Sequence, residues 1–254
     1  MKTFLEKILG HDTFRSLTQS MNAFKRLVRP KHEDEVYFLP KIIGKGETVL
    51  EIGANYGQYA RVMSKLVGAN GQVHAFEPAQ ITYRNLVRNC KILGLKNVRP
   101  HRLALSDQPG VLNLFTPIKR DSTYGVAAAS LTASPDKASA AETVSVDTLD
   151  NFCRANHIDK VHFIRCDVEG AEYSMLMGGI ETIEGSRPSL LMEVHESEMK
   201  RFGHTFDMLM AFFETRNYAC YKLNGNRLNE VTQLTDCTNF FWIPKEKATP
   251  PIVG

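Results

Sequence analysis

The sequence predicts an α/β fold with a largely parallel sheet and crossover helices, and three features predict it. Apolar runs of strand length alternate with helix-like segments; a glycine-bearing turn follows the first run directly; the last two runs lie too close together for a crossover helix. With 254 residues, 43% hydrophobic and 23% charged, the composition is that of a soluble globular protein with one large domain and a short appendage. The net charge of +3 and the pI near 8.5 come from scattered Lys and Arg, so no nucleic-acid partner is expected. Cys90, Cys153, Cys166, Cys220 and Cys237 lie far apart without a CxxC pair, which fits neither a zinc knuckle nor a disulfide framework and predicts reduced thiols.

The opening stretch, MKTFLEKILGHDTF, interrupts its apolar residues with Glu6, His11 and Asp12 and predicts no signal peptide. No run approaches the length of a membrane span, and a cytoplasmic location is expected. Over residues 4–28 apolar side chains recur at intervals of mostly three and four, with Lys2, Lys7, Lys25, Arg26 and Arg29 on the other side. That pattern predicts a helical cap over residues 1–34, packed on the domain or on a second subunit, where it could build a homo-oligomer. A membrane-surface helix is its other use. Residues 35–246 are expected to form the main domain and 247–254 a tail.

Within the domain, TVLEIGA precedes a helix over 59–67, GQVHAFEP one over 81–93, and VRPHRLAL supplies a further strand. VHFIRCDV precedes a helix over 171–183, and PSLLMEVH follows it. YACYKLNGNRLNEV and TNFFWIP, with an Asn224-Gly225 turn signal, predict an antiparallel strand near the end. Residues 116–142, rich in Ala, Ser and Thr, form a long connection that predicts either a lid, with Arg120 and Tyr124 touching an acceptor, or a disordered link.

Open α/β sheets bind ligands at the carboxyl ends of their strands. The first strand ends in Glu51, Gly53 and Gly57; the glycines permit a tight turn and close approach to a ligand, or serve only to let strand and helix pack. The second ends in Glu77 before Pro78, a carboxylate able to accept both hydroxyls of a ribose, or a solvated acid. Together they point to an adenosine-bearing ligand. A nicotinamide site favours GxGxxG beneath a pyrophosphate, whereas Glu51 ahead of GxxxG repels a pyrophosphate and can receive an ammonium, directly or through water. S-adenosylmethionine carries both the ammonium and the ribose.

Asp167 ends the VHFI strand at the edge that faces a sulfonium, and Glu169 with Gly170 opens the next helix, where a carboxylate also suits the helix dipole. In MEVHE, the period of two places Glu193 and His195 on one face. Methyl transfer needs an oxygen held close to the methyl carbon and a group to take its proton. His195 is the best base by its resting pKa, or else a structural histidine; Asp167 and Glu193 could instead bind a divalent ion.

The stretches VLEIGANYGQYA, VHAFEP, RLALSD, VDTLDNF, IRCDVEGAEYSMLMGG and SLLMEVHE resemble, in this order, the FkbM family of S-adenosylmethionine-dependent methyltransferases, with DVEGAE the most specific piece. The resemblance covers about residues 35–244 and implies a class I methyltransferase, Rossmann-like sandwich with a seven-stranded mixed sheet in the order 3-2-1-4-5-7-6, strand 7 antiparallel. It also implies an O-methyltransferase acting on a sugar, glycan or polyketide-like acceptor. By position, Glu51, Gly53, Asn55 and Gly57 would line the methionine portion with Tyr59 nearby, and Glu77 would hold the ribose. Ala104 and Leu105 would border the adenine, with Ser106 and Asp107 as polar contacts; Asp107, beside Pro109 and Gly110, reads equally as a turn residue. Asp167, Glu193 and His195 are the candidate catalytic residues. Glu51 stands where many relatives carry aspartate, which keeps the charge. Two other classes remain as alternatives: an NAD-type oxidoreductase, disfavoured by the missing third glycine, and a catalytically silent scaffold, disfavoured by three retained carboxylates at one edge.

Overall fold

The computed structural model describes residues 34–117, 139–235 and 238–249. The expected helical cap up to residue 33, and Arg120 and Tyr124 of the expected lid, lie outside the described residues.

The strands are β1 (Thr48–Ile52), β2 (Gln72–Phe76), β3 (Val98–His101), β4 (Ala104–Leu105), β5 (Gly110–Pro117) and β6 (Ser139–Asp147), followed by β7 (Phe163–Cys166), β8 (Ser189–Val194), β9 (Tyr218–Asn224), β10 (Arg227–Glu230) and β11 (Thr238–Pro244). The helices are α1 (Asp34–Phe38), α2 (Gln58–Val67), α3 (Gln80–Ile92), α4 (Leu149–Ala155), α5 (Glu172–Met177), α6 (Ile180–Ser186), α7 (Glu196–Arg201) and α8 (Phe206–Glu214). The main sheet runs β10-β9-β11-β8-β7-β1-β2-β3. Its strands from β3 to β8 are parallel, and β11 is antiparallel to both β8 and β9.

Setting β10 aside, the strands in order of appearance run 3-2-1-4-5-7-6 along the sheet. The sheet has eight strands and not seven, because the chain doubles back at Asn224 and Gly225 (φ +60) and adds β10 to the edge. Both faces are covered. Leu50 and Ile52 join a cluster with Phe152, Leu176, Ile183 and Phe213 of the helices on one side. Val49 joins Tyr59, Ala60, Met63 and Val67 of α2 on the other. Burial on both faces is why these strands read as near-continuous apolar runs.

Two expected elements are divided. The stretch VRPHRLAL splits at Arg102 and Leu103: β3 pairs with β2, while β4 leaves the main sheet and pairs with β6 in a three-stranded sheet ordered β4-β6-β5. The helix expected over 171–183 breaks at Gly178 and Gly179, where a Cβ on Gly178 would sit 2.0 Å from the Ser106 carbonyl oxygen. Thr148 and Thr205 accept the N–H groups of Asn151 (3.1 Å) and Met208 (3.2 Å) and start two helices, α4 and α8, that the apolar pattern alone does not announce.

Candidate active site

The cleft opens where β1, β2 and β7 end. Gly53 (φ +83) begins the turn, and a Cβ there would lie 1.8 Å from the Asp167 carbonyl oxygen, so only glycine admits the two chains this closely. The Gly53 and Ala54 N–H groups both donate to the Phe76 carbonyl, at 3.0 and 2.8 Å, which ties the turn to the end of β2. Glu77 follows Phe76. One of its carboxylate oxygens accepts the Asn55 N–H at 2.9 Å and the other accepts the Ala79 N–H at 3.0 Å.

Of the residues named from the sequence, Gly53, Asn55, Glu77 and Asp167 line the cleft together with Ala104 and Leu105 of the small sheet. Ile52, Phe76, Leu103, Leu114 and Glu169 line it as well. The cleft holds about 670 Å³ of empty space up to open solvent, with an apolar side and an acidic side.

Several expected contacts are not on the cleft wall. Glu51 is 1% exposed and accepts the backbone N–H groups of Tyr59 and Ala60 at the start of α2. Direct contact with a ligand ammonium is closed to it, because alternation along β1 turns Ile52 to the cleft and Glu51 to the helix. Gly57 (φ +86) caps α2, and Tyr59 is buried beneath it. Ser106 is buried, its hydroxyl donating to Asp107 at 3.0 Å and its N–H to the Asp147 carbonyl at 3.0 Å, so it anchors the end of β4 and does not face the cleft.

Behind the cleft stands a residue that sequence reasoning missed. Arg165 lies across the β1–β7 ladder from Glu51 and is 6% exposed. Its guanidinium pairs with Asp167 at 2.8 Å, approaches Glu193 at 3.7 Å and stacks over the Tyr59 ring at 4.6 Å. Glu193 also meets His195 Nε2 at 3.2 Å. Asp167 and Glu193, the two carboxylates considered as ligands of a divalent ion, share this guanidinium, and among the described residues there is no group of three or more His, Cys, Asp or Glu that could hold a metal ion. Glu172 was also missed. One of its oxygens accepts the N–H groups of both Val168 (3.1 Å) and Gly170 (3.2 Å) and so fixes the loop that carries Asp167 and Glu169. The spacing of Glu172 from Asp167 in DVEGAE was a readable signal; a lone arginine inside an apolar strand was not.

The family model described as Methyltransferase FkbM domain matches residues 51–220. The chain belongs to the FkbM methyltransferase family. As an FkbM protein it is an S-adenosylmethionine-dependent methyltransferase. Among solved structures it is similar to methyltransferase FkbM from Methylobacillus flagellatus, at 14% identity and a TM-score of 0.50, over 92% of this chain and 60% of that longer one. It is also similar to an rRNA methylase from Streptococcus thermophilus (11% identity, TM-score 0.47, covering 84% and 94% of the two chains). An O-methyltransferase from Thermotoga maritima follows (12% identity, TM-score 0.45, covering 87% and 69%). No curated protein sequence matches the chain.

The electrostatics of the FkbM cleft are those of a site short of positive charge. Burial pushes the Glu77 carboxyl up to about 7 and outweighs its two backbone N–H partners. Burial likewise raises Glu51 to about 8, against the pull of Arg165, and Glu172 to about 7. Burial raises Glu193, with Asp167 adding to the effect. These residues fit the cofactor of the family. Glu77 keeps unused lone pairs toward the cleft after its two N–H bonds, as two ribose hydroxyls require, and Phe76, Leu103 and Leu105 form apolar walls suited to a flat base.

Proposed function

We propose that this protein is an O-methyltransferase that moves a methyl group from S-adenosylmethionine to a hydroxyl of a small-molecule or glycan acceptor. The observation that carries the reading is Glu77: a carboxylate fixed by the Asn55 and Ala79 N–H groups, at the end of β2, one turn from the glycine junction of β1 and β7. S-adenosylmethionine supplies an electrophilic methyl on a sulfonium, so the protein has mainly to hold and orient. In this reading Glu77 holds the ribose, Gly53 and Asn55 give room and backbone to the methionine portion, and Ala104 and Leu105 border the adenine. Asp167, locked by Arg165, faces the donor, and Glu193 orients His195 as the group that takes the acceptor proton.

Isothermal titration tests the cofactor half of the proposal. Glu77→Ala removes the ribose partner and frees the two N–H groups, and S-adenosylmethionine affinity is expected to fall about 100-fold. Unchanged affinity overturns the ribose assignment. Transfer of labelled methyl to a panel of sugars and glycans tests the acceptor half, and label found only on nitrogen or carbon atoms overturns O-methylation.

A pH dependence follows from the same carboxylate. Glu77 must be ionised to accept two hydroxyl groups, and its pKa of about 7 means that affinity falls as pH drops below 7, by up to about tenfold per unit. The ligand-free protein behaves in the opposite sense. Glu51, Glu77 and Glu172 have folded-state pKa values raised above the ordinary 4.5, so the stability tied to them is fully present below that value and is lost as pH climbs through about 7 to 8. Thermal melts between pH 5 and 8 are expected to show a falling Tm for the free protein and a growing upward shift with the cofactor.

A further inference from the structure

We propose that Glu169 is the residue by which the cleft tells the charged methyl donor from its uncharged product: its carboxylate offers a negative charge that a sulfonium compensates and a thioether does not. The inference rests on the reading of the cleft as an S-adenosylmethionine site and adds a specificity determinant to it.

The acids around the cleft differ in what already answers their charge. Glu77 is engaged through both oxygens with backbone N–H groups, Asp167 is paired with Arg165 at 2.8 Å, and Glu193 is shared between Arg165 and His195. Glu51 lies behind the wall. Glu169 lines the cleft, and it takes part in none of the ion pairs found among the described residues. The charged groups that face it are Asp167 on its own loop, Glu193 and His195 at the end of β8, and Glu198 of α7; three of the four repel a carboxylate. Among the described residues, Glu169 is therefore the cleft-lining acid whose carboxylate has neither an ion pair nor a backbone N–H partner.

The backbone keeps that acid in place. Glu169 has φ +55, a conformation that non-glycine residues adopt only when their surroundings enforce it. Glu172 grips the N–H on either side of it, and a Cβ on the following Gly170 would lie 2.5 Å from the Glu198 backbone, so the loop has no slack on its outer side. These contacts fix the backbone from which the Glu169 side chain leaves, on the wall of the cleft.

Burial and the surrounding acids push Glu169 up to about 7, so near neutral pH a large share of molecules carry its proton. A cation beside it favours the ionised form, and the displaced proton passes to solvent. A neutral thioether leaves the proton where it was. Glu77 answers a ribose present in both ligands, so its contribution cancels when the two affinities are divided.

The experiment is isothermal titration of the wild-type protein and Glu169→Gln with S-adenosylmethionine, S-adenosylhomocysteine and sinefungin, whose ammonium replaces the sulfonium, at pH 6 and pH 8. For the wild type, the preference for the two cationic ligands over S-adenosylhomocysteine is expected to rise about tenfold from pH 6 to pH 8. In Glu169→Gln the preference is expected to drop about tenfold at pH 8 and to become flat with pH. Titration of the wild type near pH 7 in buffers of different ionisation heat gives a second readout that needs no variant: more protons are released with S-adenosylmethionine than with S-adenosylhomocysteine. Equal proton release, or a preference that Glu169→Gln leaves intact, overturns the role of Glu169 while the cofactor reading stands. Failure of all three ligands to bind overturns both.

Discussion

Gly53→Ala is expected to abolish cofactor binding and to cost roughly 3 to 5 kcal/mol of stability, the sum of an alanine forced to positive φ and of steric overlap with backbone. The added methyl would sit 1.8 Å from the Asp167 carbonyl oxygen, and an oxygen in the main chain has no rotamer by which to step aside. β1 and β7 must then part at their carboxyl ends, which moves Asn55 away from Glu77 and Asp167 away from the cleft. Gly46→Ala is the control. That residue has nearly the same φ, +81, but no atom within 4 Å of an added Cβ, so only the backbone strain of about 1 to 2 kcal/mol is expected and binding should persist. Denaturant unfolding and cofactor titration of the two variants separate crowding from strain; equal losses in both would remove the argument for close approach.

Arg165→Met is expected to destabilise the fold by about 3 kcal/mol at pH 8, since it leaves the buried Glu51 and the half-buried Asp167 and Glu193 without their counter-charge while keeping much of the side-chain volume. Glu51, Asp167 and Glu193 all feel this guanidinium, and Tyr59 loses the cation stacked on its ring. The loss should shrink toward pH 5, where the orphaned acids can take up protons. Glu51→Gln added to Arg165→Met should recover part of it, because it removes one of those charges from a position that is 1% exposed. Urea titrations across that range decide the matter, and a penalty that does not change with pH would show that packing, not charge, is what Arg165 provides.

Much of the fold was legible because parallel strands buried on both faces spell themselves as short apolar runs. TVLEI, QVHAF, FIRC and SLLMEV all fall inside the expected stretches, and the Asn224-Gly225 pair marks a real hairpin. What stayed hidden depends on partners distant in sequence. VRPHRLAL looks like one strand locally, yet Ala104 and Leu105 pair with Val146 and Asp147 and so leave the sheet that holds Val98. The site shows the same division. Gly53, Glu77 and Asp167 could be placed at the cleft because turns and strand ends have local signatures, whereas Asn55, Ala104 and Leu105, which also line it, were implied only by the resemblance to the FkbM family. Glu51 was placed on the wrong side of its strand end, and Arg165 escaped notice, for one reason: the register that sets Glu51 opposite Arg165 joins residues 114 positions apart and has no local mark.

The two-glycine corner between α5 and α6 has a wider consequence. The Ser106 carbonyl presses into the space of a missing side chain at Gly178, 2.0 Å from where a Cβ would be, and the Gly178 carbonyl in turn accepts the Asp150 N–H at 3.0 Å. The small sheet that brings Ala104 and Leu105 to the cleft, on the side proposed for the nucleobase, is thereby seated on the back layer of helices, main chain against main chain. Tolerance for the shape of the base is then a property of the whole rear half of the molecule, and redesign of that preference has to begin at a corner that never meets the ligand.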